Sequence, residues 1–518
     1  MKFTLGWLKD HLDTTATLDQ ITDRLTMLGL EVDGVHNPAE ALKAFRVAYV
    51  IEAKQHPNAD RLRVCRVDTG EGEVQVVCGA PNARTGMKGV FAAEGTFIPG
   101  TGITLKPAEI RGEASSGMLV SERELELSDD HEGIIDLTDL NPEIGTPFAD
   151  VLGLNDPVIE IGLTPNRGDC AGIRGIARDL AAAGLGILKP EPYAGKVPGS
   201  FESPIKVHLE AGDACPMFVG RYIRGVKNGP SPAWLQRRLK AIGLRPISAL
   251  VDITNYFTMD RARPLHVFDA DKVHGDIHVR FGRTGETLEA LDGRTYTADE
   301  TMTMVADERV AEAFGGIIGG EPSGCSEATV NIFLESAWFD PIRTAATGRK
   351  LGVHSDARYR FERGVDPQSL VSGAEAAAAM ILELCGGEAS ELVIAGKEPA
   401  WLRSFEFRPA RVQELTGVNV AKAEARQTLE ALGFTWHEGC LGVQVAAPSW
   451  RPDVHGEADL VEEVIRVHGY DAIPITPLPR LTSLPQPAMT ETQARRPRAR
   501  RALASRGLLE AVTFSFLP

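Results

Sequence analysis

The 518-residue sequence lacks the cysteine patterns and apolar runs that mark several protein classes. Its seven cysteines are widely scattered without a CxxC pair, which argues against a zinc ribbon or a disulfide framework and fits a reducing cytoplasm. No apolar run reaches membrane-spanning length, and the opening residues MKFTLGWLKDHLD have no signal-peptide core. We therefore expect a cytoplasmic chain without a membrane partner.

Motifs that hold a nucleotide or expose a nucleophile are missing as well. There is no Walker loop, no GxGxxG after a strand and no GxSxG elbow. The glycine pairs of FGGIIGG (314–320) do not have phosphate-loop spacing. They suit a place where the backbone closely approaches a ligand or a neighbouring strand.

The charge balance is acidic, with a net charge of −16 at pH 7. This balance argues against wholesale coating of nucleic acid, and no DNA partner is predicted, although separate domains can still carry local basic patches. The length corresponds to about three to five domains at roughly 150 residues each.

Residues 39–148 carry short apolar segments separated by turn signals. Strands are predicted at 46–52, 62–68, 74–78 and 89–93, with HPN, GEG and PG between them. About five strands in roughly 100 residues favour a small OB-type barrel. Such barrels often bind single-stranded nucleic acid. Because aromatic residues are few here, a purely structural or interaction module is an equally open interpretation.

Mixed patterns surround this barrel. Residues 1–38 have helical spacing of apolar residues, and residues 149–187 contain a strand, a turn and a helix. A Pro/Gly-rich linker at 189–204 leads into the largest block, residues 205–395, which has an α+β pattern. A Pro/Thr-rich stretch at 473–493 is typical of a second linker.

The last residues combine basic and strand-like patterns. Six arginines between positions 495 and 506 could contact RNA phosphates, but solvating an amphipathic helix is the interpretation we favour. Residues 512–516 have the composition of a strand with nothing downstream to pair with it. We expect another chain or a further domain to supply that pairing.

Polar residues in apolar or strand-like surroundings make the block from 244 to 367 the best candidate pocket. They are Asn255, His266, Glu335 and Ser355. A glutamate between Leu334 and Ser336 on a strand would be costly to bury unless a donor such as a ligand hydroxyl meets it. The alternative, slightly favoured by local sequence alone, is a satisfied core network in which Glu335 pairs with Arg360 or Arg363.

The stretch 450–470, WRPDVHGEADLVEEVIRVHGY, combines a loop with an acidic helix. Its apolar stripe has helical spacing and comprises Leu460, Val461, Val464, Val467 and His468. On the other side of the helix lie Asp459, Glu462 and Glu463, and the loop could bring Asp453 beside them. Four carboxylates together suit a hard cation, Mg²⁺ first. The alternative is a solvated face with a surface Glu462–Arg466 pair, which local sequence alone favours.

Eight stretches, together and in order, resemble the β subunit of bacterial phenylalanine–tRNA ligase. They are HPNADRL (56–62), VVCGAPN (76–82), GMLVSERELEL (117–127), TPNRGDC (164–170), VDITNY (251–256), RPLHVFD (263–269), RFERGVDP (360–367) and SWRPDVHGEADLVEEVIRVHGYD (449–471). The resemblance covers essentially the whole chain. Each stretch alone is weak evidence for the resemblance, whereas eight stretches in the same order are specific to the family.

The resemblance implies a multidomain α+β fold in which an OB-type tRNA-binding barrel is inserted after an N-terminal helical segment. The implied parts are an N-terminal α+β segment (1–38 and 149–187), the barrel (39–148), an α+β editing module (205–395), a small α/β metal-binding domain contacting the α subunit (400–475), and a linker with the start of a catalytic-like domain (476–518). Family chains continue further, so we expect this sequence to be truncated before or within that last domain.

The resemblance also implies a function within an α2β2 heterotetramer. The complex uses ATP, phenylalanine and tRNA(Phe) to form Phe-tRNA, AMP and diphosphate, with the aminoacylation site on the α subunit. This chain would bind tRNA and hydrolyse Tyr-tRNA(Phe). The alternatives are a stand-alone hydrolase of mischarged tRNA and an inert structural partner.

By resemblance, the editing pocket and the metal site each receive a set of residues. The pocket comprises Thr254, Asn255, His266, Gly319, Glu335, Ser355 and Ala357, with Glu335 contacting the tyrosine hydroxyl. The ligands of one Mg²⁺ per chain, shared with the α subunit, are Asp453, Asp459, Glu462 and Glu463. Ser355 stands where the family usually has threonine, which keeps the hydroxyl and loses a methyl group.

Overall fold

A computed structural model of the chain describes residues 1–127, 131–439, 442–477, 487–514 and 516. The chain divides into two compact units, Met1–Ala472 and Ile473–Pro518. In the described part of the chain, no helix is both long enough and apolar enough to cross a membrane. The cysteines described there are all free thiols.

The first residues alternate short strands with helices whose starts are capped by threonines. Thr4 caps one helix, and Thr17 forms a capping box with Gln20 at the next. The elements are β1 (Lys2–Thr4), α1 (Leu5–His11), β2 (Leu12–Asp13), α2 (Leu18–Met27), β3 (Val32–His36) and α3 (Pro38–Ala41). Trp7, Leu8 and Leu25 are fully buried, as helical spacing predicts.

A five-stranded antiparallel sheet of order β12-β7-β4-β5-β6 follows and forms a nearly closed barrel that fits an OB-type fold. Its segment comprises β4 (Phe45–Gln55), β5 (Arg63–Asp68), β6 (Glu73–Cys78), β7 (Lys88–Ala92), β8 (Phe97–Ile98), β9 (Ile103–Thr104), β10 (Ala108–Ile110), β11 (Glu113–Ser115) and β12 (Met118–Leu119). The four strands expected from sequence correspond to β4, β5, β6 and β7 within a few residues.

The chain then returns to the N-terminal elements. The returning elements are α4 (Phe148–Val151), β13 (Val158–Ile161), a 3₁₀-helix (Gly168–Ala171), α5 (Ile173–Ala182) and β14 (Ile187–Leu188). Strand β13 lies between β1 and β3, and β14 pairs with β2. Residues on both sides of the barrel segment therefore build the same sheets.

Two large sheets, a two-stranded sheet formed by β19 and β20, and five helices make up the central region. Its strands are β15 (Val207–Leu209), β16 (Met217–Arg224), β17 (His266–Asp269), β18 (Ile277–Phe281), β19 (Thr287–Glu289), β20 (Thr295–Thr297), β21 (Thr303–Ala306), β22 (Ala311–Phe314), β23 (Ile318–Gly319), β24 (Ile332–Trp338) and β25 (Glu388–Gly396). Its helices are α6 (Ala233–Ala241), α7 (Ala249–Arg261), α8 (Pro341–Leu351), α9 (Asp356–Phe361) and α10 (Ser369–Cys385). The two large sheets have the orders β17-β24-β16-β25 and β15-β18-β21-β22-β23.

A small region of three strands and three helices completes the first unit. Its elements are β26 (Arg403–Phe407), α11 (Ala410–Thr416), α12 (Lys422–Ala431), β27 (Thr435–Gly439), β28 (Gly442–Ala447), α13 (Glu457–His468) and a 3₁₀-helix (Tyr470–Ala472). The predicted stripe of α13 is buried except at His468, which is exposed and pairs with Glu424. The expectation for His468 is therefore wrong.

The second unit contains one described helix, α14 (Glu491–Ala504), which begins with a Thr490–Gln493 capping box. The helix starts inside the stretch interpreted as a linker, of which residues 478–486 lie outside the described residues. Positions 512–514 and 516 carry no strand, and residue 515 is not among those described. The strand expected there is therefore absent at the described positions.

Candidate functional site

A small cavity of about 110 Å³ lies where the two central sheets approach each other. Four of the seven residues assigned to the pocket line it, namely His266, Gly319, Glu335 and Ala357. The remaining lining is mostly apolar and includes Phe314 and Phe361 together with the glycine-rich turn 315–319. The cavity thus combines an apolar wall with two polar side chains.

Strand pairing places those two polar side chains side by side. His266 on β17 is directly opposite Glu335 on β24 in an antiparallel register. Directly opposite residues project from the same face of a sheet. The His266 ring packs edge-on against Phe268, with ring centroids 4.4 Å apart.

Glu335 is buried, and its Oε2 has no hydrogen-bond partner among the described residues. Burial raises the pKa of Glu335 to about 8, although the nearby charge of Arg263 acts in the opposite direction. At neutral pH the side chain is therefore mainly a neutral carboxylic acid, which can both donate and accept a hydrogen bond.

The core network proposed as an alternative for Glu335 is not formed. Arg360 instead donates to the Ala171 carbonyl and pairs with Asp356. Arg363 donates to the Tyr359 carbonyl and lies near Glu362. Neither guanidinium group pairs with Glu335.

His266 is the second unsatisfied group of the cavity. Its Nε2 is sealed from solvent and has no hydrogen-bond partner in the described part of the chain. Burial lowers the pKa of His266 to about 4, so the ring is neutral at physiological pH. A Cβ on Gly319 would come within 2.5 Å of the His266 Cε1, so glycine keeps this space open.

Ser355 supports the cavity from outside its lining. Its Oγ donates to the Ile317 carbonyl over 2.6 Å and also accepts from the Arg358 backbone at the start of α9. The hydroxyl therefore ties the glycine-rich turn to the helix that carries Ala357.

Thr254 and Asn255 lie on α7 and are not part of the cavity lining. The Thr254 hydroxyl donates to the Val251 carbonyl one turn earlier in the helix. Their place in the pocket stays a prediction without support from the cavity geometry.

The acidic stretch folds into an ion-pair network that the sequence analysis did not anticipate. Glu463 is buried and accepts hydrogen bonds from Arg451 at 2.5 and 3.0 Å and from Arg466 at 2.7 and 3.2 Å. Burial opposes its ionisation, but Arg466 and Arg451 outweigh burial and hold the pKa of Glu463 well below its usual range. The expectation that Glu463 lies on the exposed side is wrong.

The other three carboxylates differ in their surroundings. Asp453 accepts from Arg451 at 2.9 and 2.7 Å. Asp459 accepts from the backbone amides of His455 and Gly456 at the start of α13. Glu462 is exposed and has no ion pair within the described ranges, since Arg466 pairs with Glu463 and Asp179 instead. The proposed Glu462–Arg466 pair is therefore not formed.

The four carboxylates do not fit a closed metal cage. Among the described residues, no three of them place ligand oxygens within 4.8 Å of one another, whereas Asp169, Cys170 and Asp179 do. Arg167 contacts all three of these residues, because it donates to both aspartates and to the Cys170 sulfur. It therefore forms part of a buried ion-pair network.

The sequence analysis missed Arg451 and Arg263, and it gave Arg466 the wrong partner. Arg451 and Arg466 lie within the acidic stretch itself, so their proximity was a usable signal for ion pairs. Arg263 is fully buried beside the cavity, and no local pattern distinguishes it from an exposed arginine.

Comparisons with known proteins identify three family models along the chain. A tRNA binding domain matches residues 45–146, a B3/4 domain matches residues 214–386 and a tRNA synthetase B5 domain matches residues 405–470. The cavity-lining residues lie within the second match, and the acidic helix lies within the third.

Several relatives are similar along the whole chain. The phenylalanine–tRNA ligase beta subunit of Paramagnetospirillum magneticum is 58% identical over 525 residues, covering 100% of this chain and 65% of that protein. Proteins of the same name from Rhodospirillum rubrum and Cereibacter sphaeroides are each 57% identical, with the same two coverages. The chain thus spans about 65% of the length of these relatives.

One solved structure, an N-terminal fragment of the phenylalanyl-tRNA synthetase beta subunit from Pyrococcus horikoshii, is similar at a much lower level. It has a TM-score of 0.34 and 17% identity, covering 61% of this chain and 88% of that one.

Proposed function

Because the chain belongs to the family of phenylalanine–tRNA ligase beta subunits, we propose that it acts within a ligase that charges tRNA(Phe). The proposed assembly is an α2β2 heterotetramer in the cytoplasm. Its reaction converts ATP, phenylalanine and tRNA(Phe) to Phe-tRNA, AMP and diphosphate. The ATP-dependent steps belong to the α subunit in this proposal, since nucleotide motifs are missing from this sequence.

The role proposed for this chain is to bind tRNA(Phe) and to remove tyrosine wrongly attached to it. The match of the barrel to a tRNA binding domain supports the first part. An apolar pocket alone discriminates against an added hydroxyl by only about 10²-fold, which explains why a second, hydrolytic site improves fidelity.

The observation that carries the editing proposal is the pair of unsatisfied polar atoms, Glu335 Oε2 and His266 Nε2, in one apolar cavity. Both groups are neutral at pH 7 because burial shifts their pKa values in opposite directions, to about 8 and about 4. A neutral acid beside a neutral imidazole suits a phenolic hydroxyl, which both donates and accepts. Phenylalanine would leave the two atoms unpaired, which is unfavourable.

Hydrolysis in this proposal proceeds by attack of a water molecule on the ester carbonyl carbon. The attacking oxygen gives up a proton, the bond between the carbonyl carbon and the ribose oxygen breaks, and the departing ribose oxygen takes up a proton, so that free tyrosine and uncharged tRNA are released. The described lining contains no serine or cysteine, and the Ser355 hydroxyl already donates to Ile317. The cavity therefore acts by positioning the tyrosyl group, and the terminal ribose of the tRNA helps to place the water.

The Mg²⁺ ion shared with the α subunit is proposed at the start of α13. Of the four assigned carboxylates, Asp459 and Glu462 have no ion pair in the described parts of the chain, and Asp459 already accepts from two backbone amides at the start of the helix. Since Mg²⁺ keeps several waters and needs few protein ligands, Glu462 with donors from the partner would suffice. No editing step is assigned to the ion.

The proposal is tested on the complex formed with a class II α subunit of the same family. Purified complex should hydrolyse Tyr-tRNA(Phe) faster than Phe-tRNA(Phe) and should charge phenylalanine. Hydrolysis of Tyr-tRNA by this chain without any α subunit would instead favour a stand-alone hydrolase. A complex that charges tRNA but leaves Tyr-tRNA intact would favour an inert structural role.

A further inference from the structure

A second cavity, of about 180 Å³, lies apart from the pocket just described and is rich in arginine. Its walls come from the 3₁₀-helix and α5, the end of α7, the segment from α9 to α10 and the loop before α13. The arginines that line it are Arg174, Arg178, Arg261, Arg263 and Arg360. Such a concentration of positive charge is unexpected in a chain whose net charge is −16.

Two of these arginines have no ion pair with an acidic residue among the described residues. Glu191 lies 3.5 Å from Arg174 and 3.4 Å from Arg261. Asp169 is held by Arg167 outside the lining. Asp366 is the third carboxylate of the lining and accepts from the Gln368 backbone amide. Its charge acts on Arg263 and Arg178, but it forms no ion pair with either of them among the described residues. Within the described ranges, neither Arg178 nor Arg263 has a carboxylate partner within 4.0 Å.

Arg263 is the strongest sign that this cavity binds a ligand. Its side chain is fully buried, and its single hydrogen bond among the described residues joins Nη2 to the Ala337 carbonyl at 3.2 Å. Nε and Nη1 have no partner there. Leaving charged donors buried and unpaired costs considerable free energy, so an anion that pairs with them would be stabilising.

The surroundings hold both guanidinium groups in place. A Cβ on Gly373 would come within 2.8 Å of the Arg263 Cγ, so the glycine makes room for the arginine stem. Arg178 stacks over the Trp450 ring, 4.0 Å from its centroid. Ordered guanidinium groups bind oxyanions with less loss of entropy than mobile ones.

We propose that this cavity binds a phosphate-sized oxyanion through Arg263 and Arg178. The volume is well below the roughly 300 Å³ at which pockets for drug-sized ligands begin, so it suits one phosphate group better than a whole nucleotide. Guanidinium groups match phosphate through paired, charge-assisted hydrogen bonds. The phosphate is either free or part of an RNA strand, and the inference does not depend on the proposed editing function.

Titration calorimetry of the full chain with inorganic phosphate tests the site, with ionic strength held constant by chloride. One saturable site per chain is expected. Arg178→Gln should weaken it about tenfold, the loss of one charge-assisted hydrogen bond. Arg238→Gln is the matched control, because Arg238 also stacks on a tryptophan, Trp234, but does not line the cavity. The affinity of Arg238→Gln for phosphate should stay within twofold of that of the parent.

Two further variants test the role of Arg263, and a short RNA identifies the source of the phosphate. Arg263→Met should abolish binding, and Gly373→Ala, which displaces the Arg263 stem, should weaken it in a chain that still folds. Displacement of phosphate by a short RNA that binds more weakly to Arg178→Gln would identify an RNA phosphate as the source, and no displacement would identify free phosphate. Absence of saturable binding, or equal affinity in parent and Arg178→Gln, would overturn the proposal.

Discussion

His266 and Glu335 face each other across two antiparallel strands, and each presents a buried polar atom that no described residue satisfies. Both neutral groups lie in a mostly apolar cavity, and Gly319 in its glycine-rich turn leaves room beside the His266 ring. A site of this kind recognises a hydroxyl through hydrogen bonds with uncharged groups rather than through charge.

Replacing Glu335 by alanine should impair removal of tyrosine from tRNA. The variant loses a hydrogen bond to the tyrosine hydroxyl in a buried site, so hydrolysis of Tyr-tRNA should slow about tenfold or more. Attachment of phenylalanine should be nearly unchanged. The measurement is deacylation of Tyr-tRNA by the complex, followed beside phenylalanine charging.

Glu312→Ala is the matched control for this change. Glu312 is also buried, burial also raises its pKa, and it belongs to the same region without lining the cavity. A general effect of deleting a buried glutamate would appear in both variants. Equal deacylation of Tyr-tRNA by Glu335→Ala and the parent would contradict the role of Glu335.

The unusual pKa of Glu335 should also appear in the pH dependence of stability. Between about pH 4.5 and about 8 the folded chain keeps a proton that the unfolded chain has lost. Stability therefore falls as pH rises through that window, by up to about 1.4 kcal/mol per pH unit for this group. His266 has the opposite sign, because its lowered pKa costs stability as pH falls from 6.5 to about 4.

Urea unfolding from about pH 5 to pH 8 measures this effect. Glu335→Gln removes the titrating group, so its stability relative to the parent should increase as pH rises. Glu289→Gln, an exposed glutamate on a strand of the same region, should show no such trend. A Glu335→Gln difference that is flat with pH would mean that the Glu335 pKa is ordinary.

Sequence patterns predicted the local elements well but not the partners of charged residues. Strand composition placed β4 to β7, and helical spacing placed α13, because those signals are contained in neighbouring residues. The pairing of Glu463 with Arg451 depends on a loop that folds back, and that of Arg466 with Asp179 joins residues far apart in the chain. Such contacts depend on tertiary structure, which local periodicity does not encode.

The adjacent glutamates of α13 should differ sharply in their effect on stability. Glu463→Gln removes the negative charge that Arg451 and Arg466 share in a buried site. We therefore expect the free energy of unfolding to fall by about 3 kcal/mol or more. Glu462→Gln, on the exposed side, should change stability by less than about 0.5 kcal/mol. Urea unfolding followed by tryptophan fluorescence tests both, and similar effects would contradict the observed network.

Glu462 should matter instead for magnesium. Although the Glu462 side chain is exposed, partial desolvation of its carboxyl group and the neighbouring Glu463 and Asp459 carboxylates raise its pKa, so a bound cation would relieve repulsion there. Mg²⁺ should raise the thermal midpoint of the α–β complex, and Glu462→Gln should remove that response. Glu430→Gln, which affects an exposed ion pair, should retain it. A full Mg²⁺ response in Glu462→Gln would exclude this carboxylate as a ligand.

Gly319→Ala should close the cavity that we propose for editing while every polar group remains. The added methyl group would lie 2.5 Å from His266 Cε1 and 3.1 Å from Leu291 Cδ1, so the imidazole or the turn must move. Overpacking of this kind costs about 1–3 kcal/mol, and the displaced ring would fill the space in which we propose that the tyrosyl group binds. We expect Tyr-tRNA hydrolysis to fall about tenfold or more, whereas Gly212→Ala, with no atom within 4 Å of the new methyl group, should behave as the parent. Full editing activity in Gly319→Ala, with its fold intact by thermal melting, would show that tyrosine binds elsewhere.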